Sequence, residues 1–303
     1  MSIFLDVLIQ NILPILLVAS FGFLLRRRIE LHLGTLTGLV FNVLSPCLVF
    51  SSLVSSRLSG SELALLAAFA LINILVMGGL AFGLARLLRL ARGETAALLV
   101  VVMFVNGGNY GLTLLQLRYG DDGIGRGVVY YVTSTLLFYT LGVFIASMGR
   151  QTWRASLRRM TRLPAVYAAL LALIVYELNI SIPQPILRGI TVAGNGAIPV
   201  MLIILGAQMA DLRRGEPTRY VWPTLGLRLL IGPLIGVAVA SVLGLAGLDR
   251  SAMIIQAGMP TAVFTLVLAS EFDLPSQVVA RIVVFSTLIS PLTLAATITL
   301  LGL

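Results

Sequence analysis

Charge is what this sequence has least of. Only 11% of its 303 residues are Asp, Glu, Lys or Arg, and the mean hydropathy is +1.03. Soluble domains carry about 25% charged residues. A water-soluble core cannot absorb so large an apolar share, so lipid must be the second solvent. The length suits one compact membrane domain and leaves no room for a sizeable soluble one. Cysteine is confined to Cys47, inside an apolar run, which excludes a disulfide framework and a cysteine metal site. The single histidine, His32, excludes a multi-histidine metal centre and a His-paired proton relay. Lysine is absent: all 21 basic residues are arginine, a bias that reads as codon preference. No carboxylate falls clearly at mid-membrane. Asp121 and Asp122 read as loop residues at one end of a span, and Glu271 and Asp273 at the end of another. That weakens a carboxylate-based sodium or proton site. Nothing in the pattern calls for a cofactor.

What is present is a series of apolar runs. A span needs roughly 20 apolar residues. Ten candidates appear, at about 3–25, 33–55, 62–86, 95–118, 126–149, 164–182, 186–210, 219–246, 250–270 and 277–302. No signal peptide precedes the first, which is expected to serve as the insertion signal. The net charge of +9 could suggest a nucleic-acid partner, but the arginines sit at the ends of apolar runs. Loops after odd-numbered spans hold 15 of them and loops after even-numbered spans hold five. Arg228 lies inside span eight and reads as a snorkelling side chain. The asymmetry predicts cytoplasmic odd loops, with both termini periplasmic, in a multi-pass inner-membrane protein.

The longest polar stretch, 149–163, divides the spans into five and five. The expected organisation is therefore a first repeat at 1–149, a cytoplasmic linker at 150–163 and a second repeat at 164–303. An odd number of spans per half inserts the second half from the opposite side, an inverted-topology repeat. Span two contains Asn42-Val-Leu-Ser-Pro46, and span seven contains Asn195-Gly-Ala-Ile-Pro199. Both read N-x-x-x-P. From Pro46 to Asn109 is 63 residues and from Pro199 to Pro260 is 61, so interruptions in spans four and nine fall at matching places.

Those interruptions carry the chemistry. Span four is broken by Asn106, Gly107, Gly108, Asn109, Tyr110 and Gly111. Glycine and asparagine are costly in a helix interior, and unpaired amides in hydrocarbon cost several kcal/mol. A broken helix lining a protein-buried cavity accounts for them, and its exposed amides make an anion site. Span nine offers Gln256, Met259, Pro260 and Thr261, where proline deletes an amide and frees a carbonyl. Paired interruptions at corresponding positions point to a transporter's binding site. The bland alternative is glycine that merely permits close helix packing. Asn42 with Pro46, and Asn195 with Pro199, each share one helix face. The asparagines either face the cavity or join two helices, and both prolines are candidate helix breaks. Gln116, Gln208 and Asn73 read as packing hydrogen bonds.

Four strings make the resemblance specific: Phe41-Asn-Val-Leu-Ser-Pro46, Gly108-Asn-Tyr-Gly-Leu112, Leu205-Gly-Ala-Gln-Met209 and Gly258-Met-Pro-Thr-Ala262. Across essentially its whole length the chain resembles bacterial members of the auxin efflux carrier family, relatives of the plant auxin transporters. The resemblance implies an all-α polytopic membrane protein of ten transmembrane helices in a five-plus-five inverted repeat. It implies that helices four and nine are broken where they cross, and that access alternates by an elevator-like movement. Family members carry organic anions: auxin in plants, dicarboxylates in some bacteria. Bacterial relatives usually follow Gly-Asn-Tyr-Gly-Leu with proline, and here Thr113 takes that place. The expected function is a secondary carrier for a small organic anion, partnered by membrane lipid, with no nucleic acid; a homodimer is left open. A sodium symporter of the related bile-acid type is the alternative mechanism. A channel and a non-transporting receptor use the same solvent logic. An intramembrane enzyme is disfavoured, because His32 sits at an interface and Asp121-Asp122 has no companion carboxylate cluster.

Overall fold

In the computed structural model, residues 3–55, 58–147, 164–178, 180–211 and 219–303 are described. Every regular element among them is helical. We number the helices α1 (Phe4–Arg28), α2 (Leu33–Ser55), α3 (Gly60–Leu87), α4 (Arg92–Met103), α5 (Gly107–Ala146), α6 (Pro164–Glu177), α7 (Gln184–Ala210), α8 (Val221–Val242), α9 (Gly247–Ala257), α10 (Phe264–Glu271) and α11 (Ser276–Leu301). Seven of them are long and apolar enough to cross a membrane: α1, α2, α3, α5, α7, α8 and α11. The other four are too short to do so alone. The expected linker at 150–163 lies outside the described residues, as do Arg57, Arg213 and Arg214.

Local chemistry sets the helix ends. A reciprocal cap starts α3: the Ser59 hydroxyl accepts from the Glu62 amide at 3.3 Å, and Glu62 accepts from the Ser59 amide at 2.7 Å. The expected boundary between spans four and five is absent as a loop. Residues 107–146 form one helical run with a sharp kink at Gly120, whose φ of 64° and ψ of −148° suit only glycine. Asp121 and Asp122 therefore lie in helix rather than in a free loop. At Pro46 the chain stays helical, widened into π turns at Val40–Leu44 just before it. Within α7 the α-helical hydrogen bonding is interrupted at Gly196, three residues before Pro199.

The helices pack in two groups. One contains α1, α2, α6 and α7, and the other contains α3, α4, α5, α8, α9, α10 and α11. The closest approach in the first group is α1 against α7. A Cβ added at Gly22 would collide with the Ile203 backbone, and one at Gly206 with the Ala19 carbonyl. Without a hydrophobic drive between helices in lipid, such close contact supplies the dispersion energy of association. Between the groups, Asn11 donates to the Leu117 carbonyl at 3.4 Å and Arg118 donates to Asn11 Oδ1 at 3.4 Å.

Candidate functional site

The second group is organised around two places where the chain leaves helical geometry. Helix α4 stops at Met103, and Phe104 turns extended with φ −105° and ψ 116°. Helix α9 stops at Ala257, and residues 258–263 are not helical. The two irregular stretches meet as an antiparallel pair, Val105 opposite Thr261. The Asn106 amide donates to the Pro260 carbonyl at 2.7 Å, and the Ala262 amide donates to the Phe104 carbonyl at 3.0 Å. Non-helical backbone in a membrane must be satisfied by protein. Here each interruption supplies the partner that the other lacks.

Side chains complete the pairing. Thr261 Oγ1 donates to the Val101 carbonyl at 2.9 Å, and the Thr261 amide donates to Ser286 Oγ at 3.2 Å. Gln256 Nε2 donates to the carbonyls of Gly107 and Gly127, at 3.3 and 3.4 Å. Gln256 lies against the glycines of span four. A Cβ at Gly107 would sit 2.8 Å from Gln256 Oε1, and one at Gly111 would collide with it. These glycines make room for a buried amide as well as for a turn.

Arg228 is where the sequence reading fails. It does not snorkel: it is 0% exposed, held between α4 and α9. Its Nη1 donates to the Val102 carbonyl at 2.8 Å, and its Nη2 donates to the Ala257 carbonyl. Val102 and Ala257 lie at the C-terminal ends of α4 and α9, where each helix carries a partial negative charge. One guanidinium thus serves two helix C-termini. Gly232, one turn beyond Arg228, leaves it space, because a Cβ there would lie 2.7 Å from Nη2. Depth inside an apolar run says how far a long side chain must reach, not which way it turns.

On the other side of the pairing, two helices begin. Among the described residues, no acceptor meets the amides of Gly107, Gly108 and Asn109 at the start of α5, nor those of Val263 and Phe264 at the start of α10. A cavity of about 50 Å³ lies at both starts, touching Gly107, Ala262 and Phe264. Its walls are aromatic: Phe41, Phe104, Tyr131, Phe138 and Tyr139. The volume holds a few waters. Ser134 and Thr135 add hydroxyl groups, and Ser45 Oγ lies 3.1 Å from the Tyr131 hydroxyl. Five orphan amides and two helix N-termini favour an anion.

The expected site residues divide accordingly. Asn106, Gly107, Gly111, Gln256, Pro260 and Thr261 are brought together at the pairing, with Gly108 against the Tyr131 ring. Tyr110 and Met259 are fully buried beside them. The Asn109 side chain, 8% exposed, makes no hydrogen bond among the described residues. Asn42 stands apart: exposed, it donates to the Gly38 carbonyl of its own helix at 2.8 Å. Asn195 lines a second cavity, of about 150 Å³, with Ser51, Ser52, Ser55, Asp121, Asp122 and Thr191. Asn73 accepts from the Tyr130 hydroxyl at 3.3 Å, the packing role expected of it. The aromatic wall carried no signal in the sequence, since its members come from four separate segments.

Apolar helices of spanning length and a paired interruption deep among them define a multi-pass membrane transport protein, and sequence comparison agrees. The family described as "Membrane transport protein" matches residues 7–152 and 146–298, nearly the whole chain. The chain belongs to this family, the auxin efflux carrier family. It is 30% identical over 287 residues to an uncharacterized transporter of Methanothermobacter thermautotrophicus, covering 93% of this chain and 94% of that one. It is 23% identical over 295 residues to an uncharacterized transporter of Methanocaldococcus jannaschii, with 94% of each covered. A probable auxin efflux carrier component of rice, Oryza sativa, is 27% identical over 194 residues, covering 62% of this chain and 33% of the plant protein. These relatives are transporters, and the chain is a transporter rather than an enzyme.

Proposed function

We propose that this transporter is a secondary carrier for a small organic anion, a mono- or dicarboxylate, and that it works by elevator-type alternating access. The observation that carries the reading is the cavity at the joint N-termini of α5 and α10, lined by Gly107 and Phe264 from two helix starts whose first amides are uncommitted, and with no carboxylate in its lining. Each helix start has an effective charge of roughly half a unit, screened less in a buried pocket than in water. Two of them offset about one carboxylate. The aromatic wall then takes the apolar body of the anion.

On this reading α4 with the start of α5, and α9 with α10, are two broken spans that cross, and the chain makes ten passes in two inverted halves. The helix grouping supports it. Each group draws matching spans from both halves: one and two with six and seven, then three to five with eight to ten. The cavity wall reaches into the first group only through Phe41, so the second group can carry the site past it.

Arg228 bears on the coupling ion. The carbonyl-rich ends of broken helices are where carriers of this kind hold sodium, and here a fixed guanidinium takes up those carbonyls. We therefore expect sodium to be dispensable. Counterflow in proteoliposomes tests both points, with labelled carboxylates, a labelled organic cation, and choline replacing sodium. Saturable carboxylate exchange that persists in choline is the expected result. Exchange of the cation with no response to any carboxylate overturns the anion site, non-saturable flux indicates a channel, and loss of exchange in choline favours the sodium symporter.

A further inference from the structure

Helices α3 and α8 meet along a shallow apolar groove that the transport reading leaves unused. Leu80 and Leu84 form one wall, and Pro223, Gly226, Leu227 and Leu230 the other. The groove is open at Gly226, where an added Cβ meets nothing within 4 Å. One end lies where α3 finishes and α8 begins. There Arg219 reaches across the seam and donates to the Arg89 carbonyl at 3.4 Å. Both arginines are exposed, and neither forms an ion pair among the described residues. Arg89 adopts a left-handed φ of 49° as the chain turns back from α3. Trp222, 61% exposed and stacked on Phe285 at 5.8 Å, follows three residues after Arg219 in the first turn of α8. An exposed tryptophan marks the depth of the lipid headgroups.

We propose that this groove binds an anionic glycerophospholipid, with one acyl chain lying between α3 and α8 and the phosphodiester against Arg89 and Arg219. Any lipid tail can fill an apolar groove in a bilayer. What distinguishes this one is its mouth, where two exposed arginines without carboxylate partners lie side by side, Arg219 holding the Arg89 backbone through one Nη and keeping its other donors free. Guanidinium presents a planar fork that matches a phosphate bidentately, and basic pockets between helices select anionic headgroups. A small soluble anion is the poorer fit, because the surface leading from the mouth is apolar, with Leu230 59% and Ile231 39% exposed. The occupant must be apolar at one end and anionic at the other.

Native mass spectrometry of the detergent-purified full chain tests this, with phosphatidylglycerol and phosphatidylcholine supplied in equal amounts. We expect phosphatidylglycerol to be retained preferentially, by about five-fold for each arginine engaged. The pair Arg89→Gln with Arg219→Gln should bring the ratio close to one. A Cβ at Gly226 meets no protein atom, so Gly226→Leu projects into the groove and should lower retention of both lipids while leaving the thermal midpoint unchanged. The readout is a ratio on intact molecules, so partial loss of folded protein does not alter it. Equal retention by the wild type, a preference that survives the double substitution, or undiminished retention in Gly226→Leu overturns the site. So does displacement of phosphatidylglycerol by millimolar inorganic phosphate alone, which would assign the arginines to a free anion.

Discussion

Asn109 and Arg228 are buried polar groups with opposite duties. Asn109 lies within the first turn of α5, its carbonyl accepting from Thr113 Oγ1 at 2.7 Å while its own amide side chain is uncommitted. A group kept polar in a hydrophobic place without a partner is available to a ligand. Asn109→Leu keeps the size and removes the amide, so uptake should fall at least about ten-fold, the loss of one good hydrogen bond to a charged group. The amount of protein in the membrane should not change. Wild-type uptake by this variant would make the segment a packing device only. Arg228 by contrast commits both terminal nitrogens to carbonyls, leaving only its Nε unpaired. Arg228→Gln leaves those carbonyls short of donors, at a stability loss on the order of 3 kcal/mol. Thermal unfolding in detergent should show a lower midpoint, partly restored in Arg228→Lys, which keeps the charge but loses the fork. An unchanged midpoint in the glutamine variant would mean that the guanidinium does not hold the two helices.

At the scale of helices, the two groups must slide past each other if the site moves. Asn11 in α1 and Leu117 in α5 face each other across that boundary. We expect a Cys pair at 11 and 117, in a Cys47→Ser background, to stop uptake when bridged by a short bifunctional thiol reagent and to regain it on reduction. Uptake that continues through the bridge would argue against relative movement of the groups. Much of this layer was legible in the sequence. Arginine-flanked apolar runs place most helix ends, and the Asn-Gly-Gly-Asn run begins where helical geometry lapses between α4 and α5. The turn at 118–126 was not legible. Asp121 and Asp122 look like loop residues, yet Gly120 alone absorbs the reversal and helix resumes at once. Nor could the spacing of Asn42 and Pro46 fix which way that face turns. Four residues apart means one face, but helix rotation is decided by neighbours such as α6 and α7, which pack on α2 from the other half of the chain. The aromatic wall is invisible for the same reason.

For the molecule as a whole, orientation is the open quantity that one measurement decides. The excess of arginine in odd loops predicts a cytoplasmic 150–163 segment with both termini outside. Reporter fusions at Arg158 and at the C-terminus should therefore report opposite sides, and the same side for both would sink the ten-pass arrangement. The pairing of Val105 with Thr261 also bears on how the protein is made. The stretch 104–111 leaves the ribosome some 150 residues before the segment that satisfies it, and Arg228, which ties the two together, comes late as well. During that interval the first half must sit in or beside the bilayer with bare peptide groups that lipid cannot solvate. A chain halted at residue 163 should consequently be a degradation substrate. Supplying the second half as a separate polypeptide should rescue it, because the newly made half meets its complement only when the second interruption is inserted beside it.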